Sequence, residues 1–120
     1  MIVLDEQLAK PEISQAIERW YPGKVVNIKQ VRAHTRVEDD VIDVLLHHLK
    51  DPTFVTINWS DFWKKVRPHP AFCIVCLKFP SSRVQEVPKV LRDVLRKLPT
   101  KRERMGKILL VGRDAFEIDN

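Results

Sequence analysis

Glycine is scarce here: Gly23, Gly106 and Gly112 are the only three in 120 residues. Neither G-x-G-x-x-G nor G-x-x-x-x-G-K can be written, which excludes dinucleotide-dependent and Walker-type functions. Cysteine is as sparse. Cys73 and Cys76 form C-x-x-C inside "AFCIVCLKF", which reads as a buried strand. Strand alternation sends the two thiols to opposite faces, so they are expected as two core cysteines rather than a redox or zinc pair. A reducing, cytoplasmic setting suits them. Long apolar runs are missing too: residues 2–4 are apolar, but Asp5 and Glu6 end that run at once. No signal-peptide core and no membrane span is expected. No Ser, His and Asp set has a supporting elbow motif, which leaves acyl transfer unsupported. Repeats, linkers and low-complexity segments are lacking, so residues 1–120 are expected as a single domain.

What is present is enough apolar sequence for a core, at 44% hydrophobic and 31% charged residues. At this size folding needs no metal or disulfide, so a metal would be there for chemistry. The 21 Lys and Arg against 16 Asp and Glu give a net charge of +5. That balance favours a polyanionic partner such as nucleic acid, and is equally met by a basic protein without one.

"MIVLD" reads as a short apolar strand closed by an acid. Pro11 suits a first helical turn, and Ile13, Ala16, Ile17 and Trp20 supply the buried stripe of a helix that "YPG" stops. "KVVNIKQV" is expected as a second strand. In "DDVIDVLLHHLKD", Val41, Ile42, Leu45, Leu46 and Leu49 form one apolar arc, with Asp39 and Asp43 on the other side. "TFVTI" reads as a third strand, "SDFWKKV" as a short helix, and "AFCIVCLKF" as a strand apolar on both faces. A helix is expected from about Pro88, with Val90, Leu91, Val94, Leu95 and Leu98 inward and Lys89, Arg92 and Arg96 outward. After the basic run "TKRERMGK", "ILLVGRDAFEI" looks like a terminal strand or a hairpin turning at Gly112. This alternation predicts an α/β domain with a largely parallel sheet and right-handed crossovers.

In such sheets ligands bind beyond the carboxyl ends of the strands, near a switch in strand order. Acids follow three strand ends: Asp5, then Asp39 and Asp40, then Asp61. If the strands are parallel neighbours these carboxylates converge on one edge, and a hard divalent cation, Mg²⁺ or Mn²⁺, relieves their repulsion. The chemistry such an ion supports is phosphodiester hydrolysis. Each acid also has a structural reading: Asp5 ending a strand, Asp39 and Asp61 capping helices.

"MIVLDE", "EDDVIDVLL" and "TINWSDF" together resemble the strand-end acid, the D-x-x-I helix start and the T-x-N-x-x-D-F turn of PIN-domain nucleases. They look closest to the compact PIN-like branch of Mut7-C and DUF5615-type proteins, and the third motif also resembles VapC-type toxins. The likeness covers roughly residues 1–80. It implies a three-layer α/β/α fold and a metal-dependent ribonuclease, often the toxin of a toxin–antitoxin pair. Carried over, Asp5 is the first metal ligand, Asp39 the helix-start ligand, since Ile42 follows it by three, and Asp61 the turn acid. Thr56 and Asn58 then support the turn. PIN nucleases usually carry a further acid on an intermediate helix, and here Glu6, Asp40 and Asp43 are the candidates for it.

Basic residues cluster beside these motifs. Arg32 and Arg36 lead to Asp39, Lys64 and Lys65 follow Asp61, and Arg32, Arg36 and Lys64 are the candidates for holding a phosphate backbone. Trp59 and Trp63 lie one helical turn apart. Trp59 is the better placed to stack on a base, and packing against the sheet is the alternative. His47 and His48 diverge by about 100° on a helix, a poor metal pair. His34 is close to the acids but isolated.

The expectation that joins these features is an RNA-cleaving enzyme with Asp5, Asp39 and Asp61 as catalytic metal ligands for Mg²⁺ or Mn²⁺. The alternative is a catalytically inactive PIN-like module that binds nucleic acid or a partner protein. A toxin masked by an antitoxin is a third reading, and an apolar edge strand near the C-terminus would allow a homodimer.

Overall fold

Short runs of branched and aromatic residues pair into one sheet, which the computed structural model describes for residues 1–32 and 42–120. Its strands are β1 (Ile2–Leu4), β2 (Val25–Asn27), β3 (Thr53–Thr56), β4 (Cys73–Leu77), β5 (Ile108–Val111) and β6 (Phe116–Asp119). They lie in the order β2-β1-β3-β4-β5-β6. The first five are parallel and β6 runs antiparallel to β5. The turn between those last two strands is closed by the Gly112 N–H donating to the Ala115 carbonyl at 2.8 Å.

Period-two alternation divides the strand side chains between two cores. Leu4, Val55, Cys73 and Val75 enter one, and Val3, Phe54, Ile74 and Cys76 enter the other. The register enforces this, because Leu4 faces Val55 and Val3 faces Phe54 across the β1–β3 pair. All five residues of β4 are buried, as a central strand covered on both faces requires. Cys73 and Cys76 are free thiols on opposite faces.

Helices cover both faces, an arrangement compatible with three layers. On the first face lie α1 (Pro11–Glu18), with proline in its first turn and Ile13 and Ile17 buried, and α5 (Val87–Lys97), which buries Leu91, Val94 and Leu95. On the second lie α2 (Ile28–Arg32), α3 (Ile42–His47) and α4 (Trp59–Phe62), through Ile28, Leu46 and Phe62. A single turn, α6 (Lys101–Arg104), stands before β5 in the basic run, with the Thr100 hydroxyl capping the Glu103 N–H. Among the described residues, no helix is long and apolar enough to cross a membrane.

Two expectations are corrected. The second strand stops at Asn27 and "IKQVR" is helical. The Asn27 side chain accepts from the Gln30 N–H (3.1 Å) while the Gln30 side chain accepts from the Asn27 N–H (3.0 Å), a reciprocal capping box that starts a helix despite the β-branched content. The second correction concerns handedness. α1 carries the chain from β1 to β2 and α5 carries it from β4 to β5, opposite directions along the strand order. Both helices pack on the same face and touch one another. Two parallel crossovers on one face that run in opposite directions have opposite hands, so they are not both right-handed.

Candidate functional site

Strand order turns around β1, with β2 on one side and β3 on the other, and the crevice beyond the carboxyl ends of β1 and β3 is the topological switch point. Asp5 is the first residue past β1. Its N–H donates to the Val55 carbonyl at 3.0 Å, which carries the sheet register one step further and sets Asp5 beside Thr56.

That neighbourhood is a continuous hydrogen-bonded relay. The Asp5 carboxylate, 7% exposed, accepts from the Glu6 N–H on one oxygen and from the Thr56 hydroxyl on the other, both at 2.7 Å. Thr56 is fully buried, and its Oγ1 in turn accepts from the Asn58 N–H at 2.9 Å. The Asn58 side-chain amide then donates to the exposed Asp61 carboxylate at 2.5 Å. The turn after β3 thus ties Asp61 to Asp5 through two intermediate residues. Asp5 also caps the short 3₁₀ turn Glu6–Leu8, so its structural reading holds alongside.

Three members of the relay, Asp5, Asn58 and Asp61, line an open cleft of about 740 Å³. Asp5, Glu6, Asn58 and Asp61 give it an acidic side, and Lys65 and Arg67 bring cations. Its remaining wall includes His47, His69 and Phe72. The imidazoles of His47 and His69 meet edge to face with centroids 4.2 Å apart, and Phe72 packs at 90° to His47. The Ala71 N–H donates to His69 Nδ1 at 3.0 Å, so a neutral His69 carries its proton on Nε2. His69 went unnoticed in the sequence; its one local signal is the proline on either side of it in "RPHP".

Hard-oxygen donors are the chemistry this wall supplies, and they suit Mg²⁺ or Mn²⁺ rather than a soft metal. Among the described residues, no group of three or more His, Cys, Asp or Glu is arranged to hold a metal ion. Asp5, Glu6 and Asp61 do share the cleft. Asp39, Asp40, Arg36 and His34 lie outside the described residues, and so do the side chains of Arg32 and Asp43.

The other expected contacts stand elsewhere. Lys64 has a positive φ of 63° and turns its ammonium to Asp119 (3.7 Å), while its neighbour Lys65 lines the cleft. Trp59 is half-buried against the second core, with the Lys78 ammonium 4.7 Å from its ring centre, and Trp63 packs on the same core. Neither tryptophan lines the cleft. Burial pushes both thiols, Cys73 and Cys76, up to about 12, the signature of inert core cysteines. No family model, curated protein or solved structure matches this chain.

Proposed function

We propose that the chain is a PIN-like endoribonuclease that uses Mg²⁺ or Mn²⁺ at the cleft beyond β1 and β3. The observation that carries this reading is the relay from Asp5 through Thr56 and Asn58 to Asp61. A solvated helix cap does not need a buried hydroxyl committed to a strand-end acid. A pair of carboxylates that must be presented in one orientation does.

Asp5 and Asp61, with Glu6 beside them, are the proposed ligands, and Asp39 or Asp40 is the proposed addition. Two carboxylates are a usual protein complement for Mg²⁺, whose other positions go to water and substrate phosphate. Such an ion, when bound, lowers the pKa of an attacking water and polarises the phosphoryl oxygen. The protein's own part is positional. Thr56 and Asn58 hold the carboxylates, and Lys65 and Arg67 offer cations to the phosphodiester backbone on the same cleft.

The test is calorimetric titration of Mn²⁺ into wild type and Asp61→Asn, paired with cleavage of single-stranded RNA by wild type, Asp5→Asn and Asp61→Asn. The expected result is saturable metal binding that Asp61→Asn weakens and cleavage that both variants lose while keeping a cooperative thermal transition. Cleavage unchanged in both variants refutes the reading. So does a wild-type protein that neither binds Mn²⁺ at millimolar concentration nor cleaves RNA.

A further inference from the structure

With five parallel strands, the loops entering the strands gather at the edge opposite the acidic cleft. There a second pocket, about 560 Å³, opens between the end of α1 and the C-terminal half of α5. This is within the roughly 300–1,000 Å³ of ordinary small-molecule sites. Among the described residues its charged lining is all of one sign: Arg92, Arg96, Lys101 and Arg104 contribute cations, and no carboxylate lines it.

Arg104 is the unusual member. The residue is buried, 7% exposed, and one terminal nitrogen of its guanidinium donates to the Leu98 carbonyl at 2.8 Å. That bond caps the end of α5 and accounts for part of the guanidinium. Its Nε–H has no hydrogen-bond partner, and among the described residues no carboxylate pairs with it. A buried guanidinium without an anion is costly, and an anionic ligand in the pocket offsets that cost. The other cations are only loosely engaged: Lys101 stands 3.6 Å from Asp51 and Arg96 3.7 Å from Asp93, both partly exposed pairs.

The remaining wall is aromatic. Trp20 and Tyr21 meet edge to face at 6.2 Å, and the Arg92 guanidinium lies 5.9 Å from the Trp20 ring centre. Planar rings beside a set of guanidinium groups match one ligand chemistry, a phosphate ester carried on an aromatic base.

We infer that this pocket binds a nucleoside phosphate, with the phosphate on Arg92, Arg96, Arg104 and Lys101 and the base against Trp20 and Tyr21. The inference is independent of the acidic cleft. The same chemistry can arrive as a free nucleotide or as one nucleotide of a single strand.

Titration calorimetry of wild type in EDTA with adenosine 5′-monophosphate, inorganic phosphate and a short oligoadenylate tests it. Adenosine monophosphate is expected to saturate one site and to bind more tightly than phosphate. Arg92→Gln/Arg96→Gln, a change at two exposed positions, is expected to weaken it by about tenfold or more for each charge-assisted bond lost. Asp5→Asn and Asp61→Asn are expected to leave it unchanged, which separates this site from the nuclease reading. Oligoadenylate that binds at least about tenfold tighter than the monophosphate, and depends on the same arginines, identifies a strand as the ligand; equal affinities identify the free nucleotide. The inference is overturned by lack of saturation with the monophosphate, by phosphate binding equally well, or by binding that survives the double arginine change or is lost with Asp61→Asn.

Discussion

Thr56→Val keeps the shape of a fully buried side chain and deletes a hydroxyl that joins the two halves of the candidate site. The lost donor leaves Asp5 without one of its 2.7 Å bonds, and the lost acceptor strands the Asn58 N–H. A hydrogen bond to a charged group is worth about 1.5–3 kcal/mol and a neutral one about 1. Asn58 is only half-buried, so water recovers part of the second term, and the expected loss is about 2–3 kcal/mol. At about 2.1 cal/mol/K per residue, a 120-residue chain unfolds with roughly 0.25 kcal/mol/K. Its thermal midpoint should therefore fall by about 8–12 °C. Thr56→Ser retains the hydroxyl and gives up one methyl, with an expected cost of about 1 kcal/mol. Thermal and urea unfolding of the three proteins settles the matter. A valine variant within about 0.5 kcal/mol of wild type, or a serine variant as weak as valine, shows that the relay is not held by this hydroxyl.

Gln30→Ala removes one half of the capping box at the start of α2 and should cost about 1 kcal/mol, measured by urea unfolding; a neutral result means that packing of Ile28 alone sustains the helix. Gly106 has a φ of +88°, and an added Cβ meets nothing closer than Pro70 Cα at 3.8 Å. Gly106→Ala should therefore cost about 1–2 kcal/mol through backbone strain alone, read as a lower thermal midpoint with an unaltered fold by circular dichroism. Burial holds the Cys73 and Cys76 thiols at about 12 in the folded protein against an ordinary 9.0. Below the ordinary value both states keep these protons and the thiols impose no pH dependence. Above it the unfolded chain releases protons that the folded chain retains, so stability falls as pH rises, by up to about 1.4 kcal/mol per thiol per pH unit. The Cys73→Ala/Cys76→Ala protein should lose this alkaline slope; identical slopes in the two proteins between pH 9 and 10.5 refute the assignment.

Much of the architecture is legible because it rests on local periodicity. "AFCIVCLKF" announces a strand buried on both faces, and its two cysteines separate into the two cores as alternation requires. The stripe of α5 and the hairpin at Gly112 are equally local. "KVVNIKQV" misleads because Val25, Val26, Ile28 and Val31 favour a strand, while the Asn27 and Gln30 side chains supply the competing bonds that begin a helix. Asp5 and Asp61 reach the same cleft because each follows a parallel strand of neighbouring position, which strand-end spacing anticipates. Lys65, rather than Lys64, lines that cleft, a choice made by the positive φ at Lys64.

By itself, the sequence determined the kind of element that most described segments form, "IKQVR" excepted, and the chemistry each strand end carries, since both depend on residues a few positions apart. Tertiary structure decided what meets what. It placed Thr56 against Asp5 across 51 positions, His69 against His47, and Arg92 over Trp20. It also gathered Arg92, Arg96, Lys101 and Arg104 around one pocket at the far edge of the sheet. The physical reason is that strand order and the face each crossover takes are set by the burial of both sheet faces at once, a property of the whole chain that no local window contains.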